Sequence, residues 1–309
     1  MQKKEKQVKL KHRIEYFVFS AFTLLVKLSP LFLMKINRKI LCFLFKKTNK
    51  RYARIVDKNL EIAFPKAPEQ EISNLKDKVY RHFSRILIEI LYMFVKKNPS
   101  AIIKNIEVNH RENLEKALEK KKGVIIFTAH FGNWELVPYI LNRKLGRRVF
   151  GIAREMRNPL VEKIVKQSRE KMGLNIIYKD NSIRSVLRAL QDNEIVYFLI
   201  DQHAIRREGV VIDFFGKKVN AVTSVSRMHI KNGVPIVPLF LHYEEDKVVL
   251  NIHPEVPFHK SADSSEDIKK LTEKCNAKIE EEIKKHPEQW FWFHNRWRDE
   301  IRRYHETRR

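Results

Sequence analysis

Residues 123–135 read GVIIFTAHFGNWE. Val124 to Phe127 is a continuous apolar run, β-branched at three of four positions and opened by a glycine, which predicts a strand buried on both faces. The apolar character stops at His130, and Phe131, Gly132, Asn133 and Trp134 then lead to a carboxylate at Glu135. A histidine and a glutamate five positions apart do not share a helical face, which requires a spacing of three or four. The arrangement makes sense with His130 on the turn after the strand and Glu135 in the first turn of the next helix. Gly132 then permits the tight backbone between them.

Outward from this strand the same alternation continues. Strands are predicted at GVIIFTA, RVFGIAR, NIIYK, EIVYFLID, VPIVPLFLHY and KVVLNIHPEV, with helices near 134–144, 159–172, 182–192, 221–231 and 265–285. Upstream, apolar residues recur at helical spacing from about Ile72 to Val95, and the second half of that segment is apolar nearly all round, so it is buried or rests on lipid. The pattern implies an α/β fold: one domain with a mixed, mostly parallel sheet flanked by helices. No internal repeat or low-complexity linker divides it.

The residues around the turn suggest proton-transfer chemistry. Glu135 is expected to accept a hydrogen bond from one ring nitrogen of His130, leaving the other nitrogen as a general base. Helix-start amides, with Asn133 nearby, would stabilise an oxyanion. A cap on a strand end and a glutamate suited to the helix dipole is the plainer reading of the same pair. No GxSxG and no catalytic cysteine lies near, so the substrate is expected to supply the hydroxyl. Arg154 and Asp201 each follow a predicted strand and are expected at the same sheet edge as His130. A solvated arginine and a loop-fixing aspartate are the alternatives.

Composition narrows the partners. The net charge of +25 requires anionic ones, and residues 1–60, with 16 Lys/Arg against three Asp/Glu, carry +13 of it. The two cysteines, Cys42 and Cys275, lie far apart without a metal-ligand spacing, and none of the eight glycines forms a phosphate-cradling loop. No metal and no nucleotide cofactor is therefore expected, and a reducing compartment is.

The basic N-terminus also holds the most lipophilic segment, IEYFVFSAFTLLVKLSPLFLM at 14–34. It is just long enough to span a bilayer, but Lys27 and Pro30 interrupt it and both flanks are basic. A segment dipping into the cytoplasmic leaflet is favoured over a full span, with a buried core helix as the third option. Residues 1–50 are thus read as an N-terminal membrane-anchoring helix with its basic flanks, and 51–309 as the catalytic domain.

AHFGNWE resembles the HxxxxD/E motif of the lysophospholipid acyltransferase-like enzymes, in the Glu form of the late (secondary) acyltransferases of lipid A biosynthesis. The resemblance continues in order. AREMRNPLVEKIVKQSREKMG is similar to the family's segment with an Arg and an Asn-Pro, although its usual Arg-Pro reads Arg154-Glu155 here. LIDQHA, GVVIDFFGKKVNAVT and HPEQWFWFHNRWR resemble its Asp-Gln, Phe-Phe-Gly and C-terminal tryptophan signatures, and NLEIAFP its upstream helix and turn.

The resemblance implies transfer of a fatty acyl chain from acyl-acyl carrier protein to a hydroxyl of a Kdo-bearing lipid A precursor. It implies His130 as general base oriented by Glu135, with helix-start amides and Arg154 or Asn133 at the oxyanion. The site would lie on the cytoplasmic side of the inner membrane. A sibling acyltransferase with another glycolipid or phospholipid acceptor is the nearest alternative. A basic binding protein is the non-enzyme alternative, but the sequence carries no nucleic-acid-binding signature.

Overall fold

The computed structural model of the chain describes residues 7–95, 105–178, 182–205 and 208–298. Four helices come first: α1 (Leu10–Leu28), α2 (Met34–Thr48), α3 (Lys50–Ala63) and α4 (Glu69–Val95). The α/β part runs β1 (Ile106–Asn109), α5 (Arg111–Glu119), β2 (Val124–Thr128), α6 (Val137–Leu145), β3 (Val149–Ala153), α7 (Pro159–Lys171), β4 (Leu174–Tyr178), α8 (Ser182–Gln191) and β5 (Ile195–Leu199). It continues with β6 (Gly209–Phe214), β7 (Lys217–Val222), α9 (Ser224–Asn232), β8 (Ile236–Glu244), β9 (Lys247–Ile252) and α10 (Ser264–Lys285).

Seven strands form one sheet in the order β1-β9-β8-β2-β5-β3-β4, parallel at every pairing except β8 with β9. The expected mixed, mostly parallel sheet is therefore the observed one. Strand β2 lies inside it, and all five of its residues are buried. Ile125 and Phe127 pack on one face with α3, α8, α9 and α10, while Val124 and Ile126 pack on the other with α5 and α6. This two-sided burial is why the strand reads as an unbroken apolar run.

The six expected strands and five expected helices all form, within a few residues of their predicted ends. Lys179, the last residue of NIIYK, lies outside the described residues. Strand β1, helix α5 and the β6–β7 hairpin were not expected. The hairpin turns at Phe215 and Gly216, both at positive φ, as a two-residue turn between twisted strands requires.

The alternating aromatics of 290–297 suit a strand, a membrane-near patch or core packing alike, and the structure has core packing: Trp290, Trp292, Phe293 and Trp297 are buried. The segment makes one isolated bridge, Phe131 with Trp290, and otherwise fills the core beside Phe214. Arg296 is fully buried too.

At the N-terminus, Pro30 separates α1 from α2. Val26 and Met34 pack on Ile88 and Tyr92 of α4, so the apolar second half of α4 lies under this hairpin. No helix among the described residues is long and apolar enough to cross a membrane. The hairpin nevertheless leaves Leu10, Ile14, Phe17, Val18, Leu25 and Leu28 exposed, with Phe32 at the turn 76% exposed.

Candidate active site

The register of the central strands assembles the site. Thr128 of β2 pairs with Leu199 of β5, so two further residues along each chain bring His130 and Asp201 to the same edge. That edge is formed by the carboxyl ends of parallel strands, where open α/β sheets place their ligands. Arg154 follows β3, which runs parallel to β5 and ends at this edge as well.

Asp201 grips His130 twice. Its Oδ1 lies 2.8 Å from the ring Nδ1, and its Oδ2 accepts the backbone N–H of His130 at 3.0 Å. The indole N–H of Trp290 donates to the same Oδ2 at 2.8 Å. Burial acts to raise the Asp201 pKa, but the His130 charge and these hydrogen bonds outweigh it and hold the carboxyl down at about 2. An ionised Asp201 makes Nδ1 the protonated nitrogen and leaves the Nε2 lone pair available.

Nε2 has one polar neighbour among the described residues, the Gln202 side-chain amide at 3.3 Å. The ring packs edge-on against Trp134 at 5.1 Å and near Phe291 at 6.0 Å between centroids. Its side chain keeps 22% exposure, whereas Asp201 keeps 2%. The arrangement can take a proton at Nε2 from a group arriving from solvent, with the resulting cation stabilised from behind.

The turn itself is held by its surroundings. Gly132 has φ +52°, and a Cβ there would sit 1.9 Å from the carbonyl oxygen of Leu241. Its N–H donates to the Gln289 carbonyl at 2.9 Å, and the Phe291 N–H donates to the His130 carbonyl at 2.9 Å. Arg296 supports the other side, donating to the Gln202 carbonyl at 2.7 Å and to Asn276 Oδ1 at 2.9 Å. Burial pushes the Arg296 pKa down to about 10, against the opposing pull of Asp201.

Glu135 and Asn133 stand differently from expectation. Glu135 lies in a short 3₁₀ turn, Trp134–Leu136, and both its carboxylate oxygens are taken by Arg169 of α7, Oε2 by Nε at 2.9 Å. The ring nitrogen it was expected to hold faces Asp201 instead. Asn133 is fully buried and donates its side-chain N–H to Glu89 of α4 at 3.2 Å, so the amide expected at the oxyanion is engaged inside the protein. Arg154 is exposed and makes no hydrogen bond or ion pair to another described residue.

Sequence reasoning did not assign roles to Gln202, Trp290 or Arg169. A buried indole N–H needs an acceptor, so the tryptophan segment did carry a usable signal.

Residues 1–299 match the family model described as bacterial lipid A biosynthesis acyltransferase. The chain belongs to that family. It is an O-acyltransferase. A lipid A biosynthesis acyltransferase of Haemophilus influenzae is 24% identical over 274 residues, covering 88% of this chain and 83% of the relative. A lipid A biosynthesis palmitoleoyltransferase of Escherichia coli is 26% identical over 279 residues, covering 84% and 85%. More distantly, a phosphatidylinositol mannoside acyltransferase of Mycolicibacterium smegmatis is 22% identical over 196 residues, covering 62% and 61%.

Proposed function

We propose that this acyltransferase moves a fatty acyl chain from acyl-acyl carrier protein to a hydroxyl of a Kdo-bearing lipid A precursor, with His130 as general base. The observation that carries the mechanism is the His130–Asp201 pair at the sheet edge. Among the described residues no serine, threonine or cysteine side chain hydrogen-bonds to the His130 ring, so the acceptor's own hydroxyl is the nucleophile. Nε2 takes the hydroxyl proton as the oxygen attacks the thioester carbonyl. The tetrahedral intermediate collapses with cleavage of the C–S bond, and the imidazolium returns its proton to the leaving thiolate. Asp201 holds the ring and stabilises its positive form. Glu135 acts through Arg169, bracing the turn against α7, and exposed Arg154 meets an anionic group of the substrates.

The N-terminal hairpin is read as a monotopic anchor on the cytoplasmic face of the inner membrane. Its exposed apolar side chains provide the burial, and α2 also carries the exposed Lys35, Lys39 and Lys47. Each such charge near an anionic leaflet contributes about 1 kcal/mol. Residues 51–309 are read as the catalytic domain. The same positive charge suits acidic carrier protein and a phosphorylated acceptor.

The test is purified enzyme with acyl-acyl carrier protein and the Kdo-bearing precursor, followed by mass spectrometry of the lipid. A gain of one acyl mass is expected, while the intact-protein mass stays unchanged with donor alone. Acylation of a mannosylated phosphoinositide but not of the Kdo-bearing lipid would replace the acceptor. A stable acyl-enzyme would replace the mechanism.

A further inference from the structure

Behind the catalytic turn a single carboxylate joins two parts of the molecule. Glu89 of α4 is 2% exposed and takes four donors. Arg38 NH2 of α2 lies 2.7 Å from Oε1, and Arg85 Nε of α4 lies 3.0 Å from the same oxygen. On Oε2, Asn133 Nδ2 donates at 3.2 Å and the Tyr243 hydroxyl of β8 donates as well. One oxygen thus faces the N-terminal helices. The other faces the sheet and the turn that carries His130.

Each outer partner is anchored on its own side. Tyr243 is clamped by Gln289, whose Oε1 accepts its N–H and whose Nε2 donates to its carbonyl, both at 2.8 Å. The Gln289 carbonyl also accepts the Gly132 N–H. Asn133 is the next residue and is fully buried. Arg38 belongs to the helix whose outer face carries exposed Ile36, Ile40 and Phe43. Arg38 is itself half-buried, and it is bonded to Glu89 rather than left on the outer face with the lysines.

We propose that Glu89 is a positioning residue through which α2 sets the catalytic turn, so that seating the N-terminal hairpin on a bilayer fixes His130 for reaction. The membrane part of this statement rests on the anchor reading above. Arg38 is the informative link, because Arg85 still pairs Glu89 without it and the buried carboxylate is not left bare.

The experiment compares full-length wild type, Arg38→Gln and Arg38→Lys on vesicles of phosphatidylethanolamine and phosphatidylglycerol containing the acceptor. Arg38→Gln is expected to co-sediment with vesicles like wild type, with kcat lowered by about tenfold, within the usual range for coupling between sites, and KM unchanged. Amide hydrogen exchange in a peptide spanning 130–136 should accelerate in vesicle-bound Arg38→Gln while that of β2 does not. Arg38→Lys should restore most of both. Native exchange at 130–136 in Arg38→Gln would overturn the proposal, as would a loss of rate that merely follows loss of vesicle binding. The exchange measurement needs no turnover, so it decides the coupling even if the acceptor identity proves wrong.

Discussion

The Asp201 carboxylate meets His130 at both the ring and the backbone, with Oδ1 2.8 Å from Nδ1 and Oδ2 3.0 Å from the main-chain nitrogen. A side chain bound in this way fixes the tautomer of the imidazole and the position of the turn together. The Trp290 indole adds a third donor to the same carboxylate. A group surrounded by donors must be all acceptor, and an amide is not.

Asp201→Asn therefore places an NH2 group against an N–H donor and disturbs the tautomer. The expected loss in kcat is about 10²–10⁴-fold. Steady-state kinetics, on protein whose far-UV circular dichroism matches wild type, checks it. A variant with kcat within a few-fold of wild type would mean that Asp201 only fixes the loop.

Glu135 and Arg169 form a pair of which 11% and 28% of the side chains remain exposed. Such a pair falls between an exposed ion pair and a buried one, so Glu135→Ala and Arg169→Ala are each expected to destabilise by about 2 kcal/mol. The double variant should cost clearly less than the sum, since each single change leaves a half-buried charge unpartnered. Urea denaturation of the four proteins gives the coupling. Additive effects would show that the pair does not brace the turn.

The exposed apolar face of α1 is testable without removing it. Truncation would strip Val26 and Met34 from Ile88 and Tyr92 and expose core, so substitution is the cleaner probe. Phe17→Glu with Leu25→Glu, at positions 73% and 67% exposed, should weaken vesicle binding at least tenfold and leave the melting temperature nearly unchanged. Unaltered vesicle binding would remove this face from the anchor.

Stability should fall on acidification well before the carboxylates titrate. Burial holds the His294 pKa down at about 4, against the ordinary 6.5, and its Nε2 accepts the His203 N–H at 3.1 Å. Between those values the unfolded chain binds the proton and the folded one does not, so stability decreases as pH drops through that window. The contribution of this one group is at most about 3 kcal/mol. His294→Gln, which keeps an acceptor, should flatten the pH 6.5 to 4 limb of the urea midpoint. An unchanged slope would mean that His294 is not held neutral.

Much of this fold is legible in the chain because the central strands β2, β5 and β8 are buried on both faces. GVIIFTA and EIVYFLID announce themselves by composition, and the helix at 159–171 by its apolar spacing; in the structure Asn158 caps that helix by accepting the N–H of Leu160. The short edge strand IEVN does not, having only four residues and none fully buried.

The site was legible in its parts more than in its pairing. His130, Asp201 and Arg154 are found at the ends of strands, yet nothing local says that β5, and not β3, lies beside β2. That order is fixed by packing over 71 residues of separation. Glu135 sits close to His130 in sequence, but its carboxylate is engaged by Arg169 of a helix that no spacing rule would bring there.

In the proposed mechanism His130 takes the proton of the acceptor hydroxyl directly. Single-turnover acyl transfer by His130→Ala, with acyl-acyl carrier protein and the Kdo-bearing lipid both supplied in excess of wild-type KM, tests it most directly. The expected result is a rate about 10²–10⁴-fold below wild type, with the fold and vesicle binding intact. Near-native product formation by His130→Ala would contradict the mechanism.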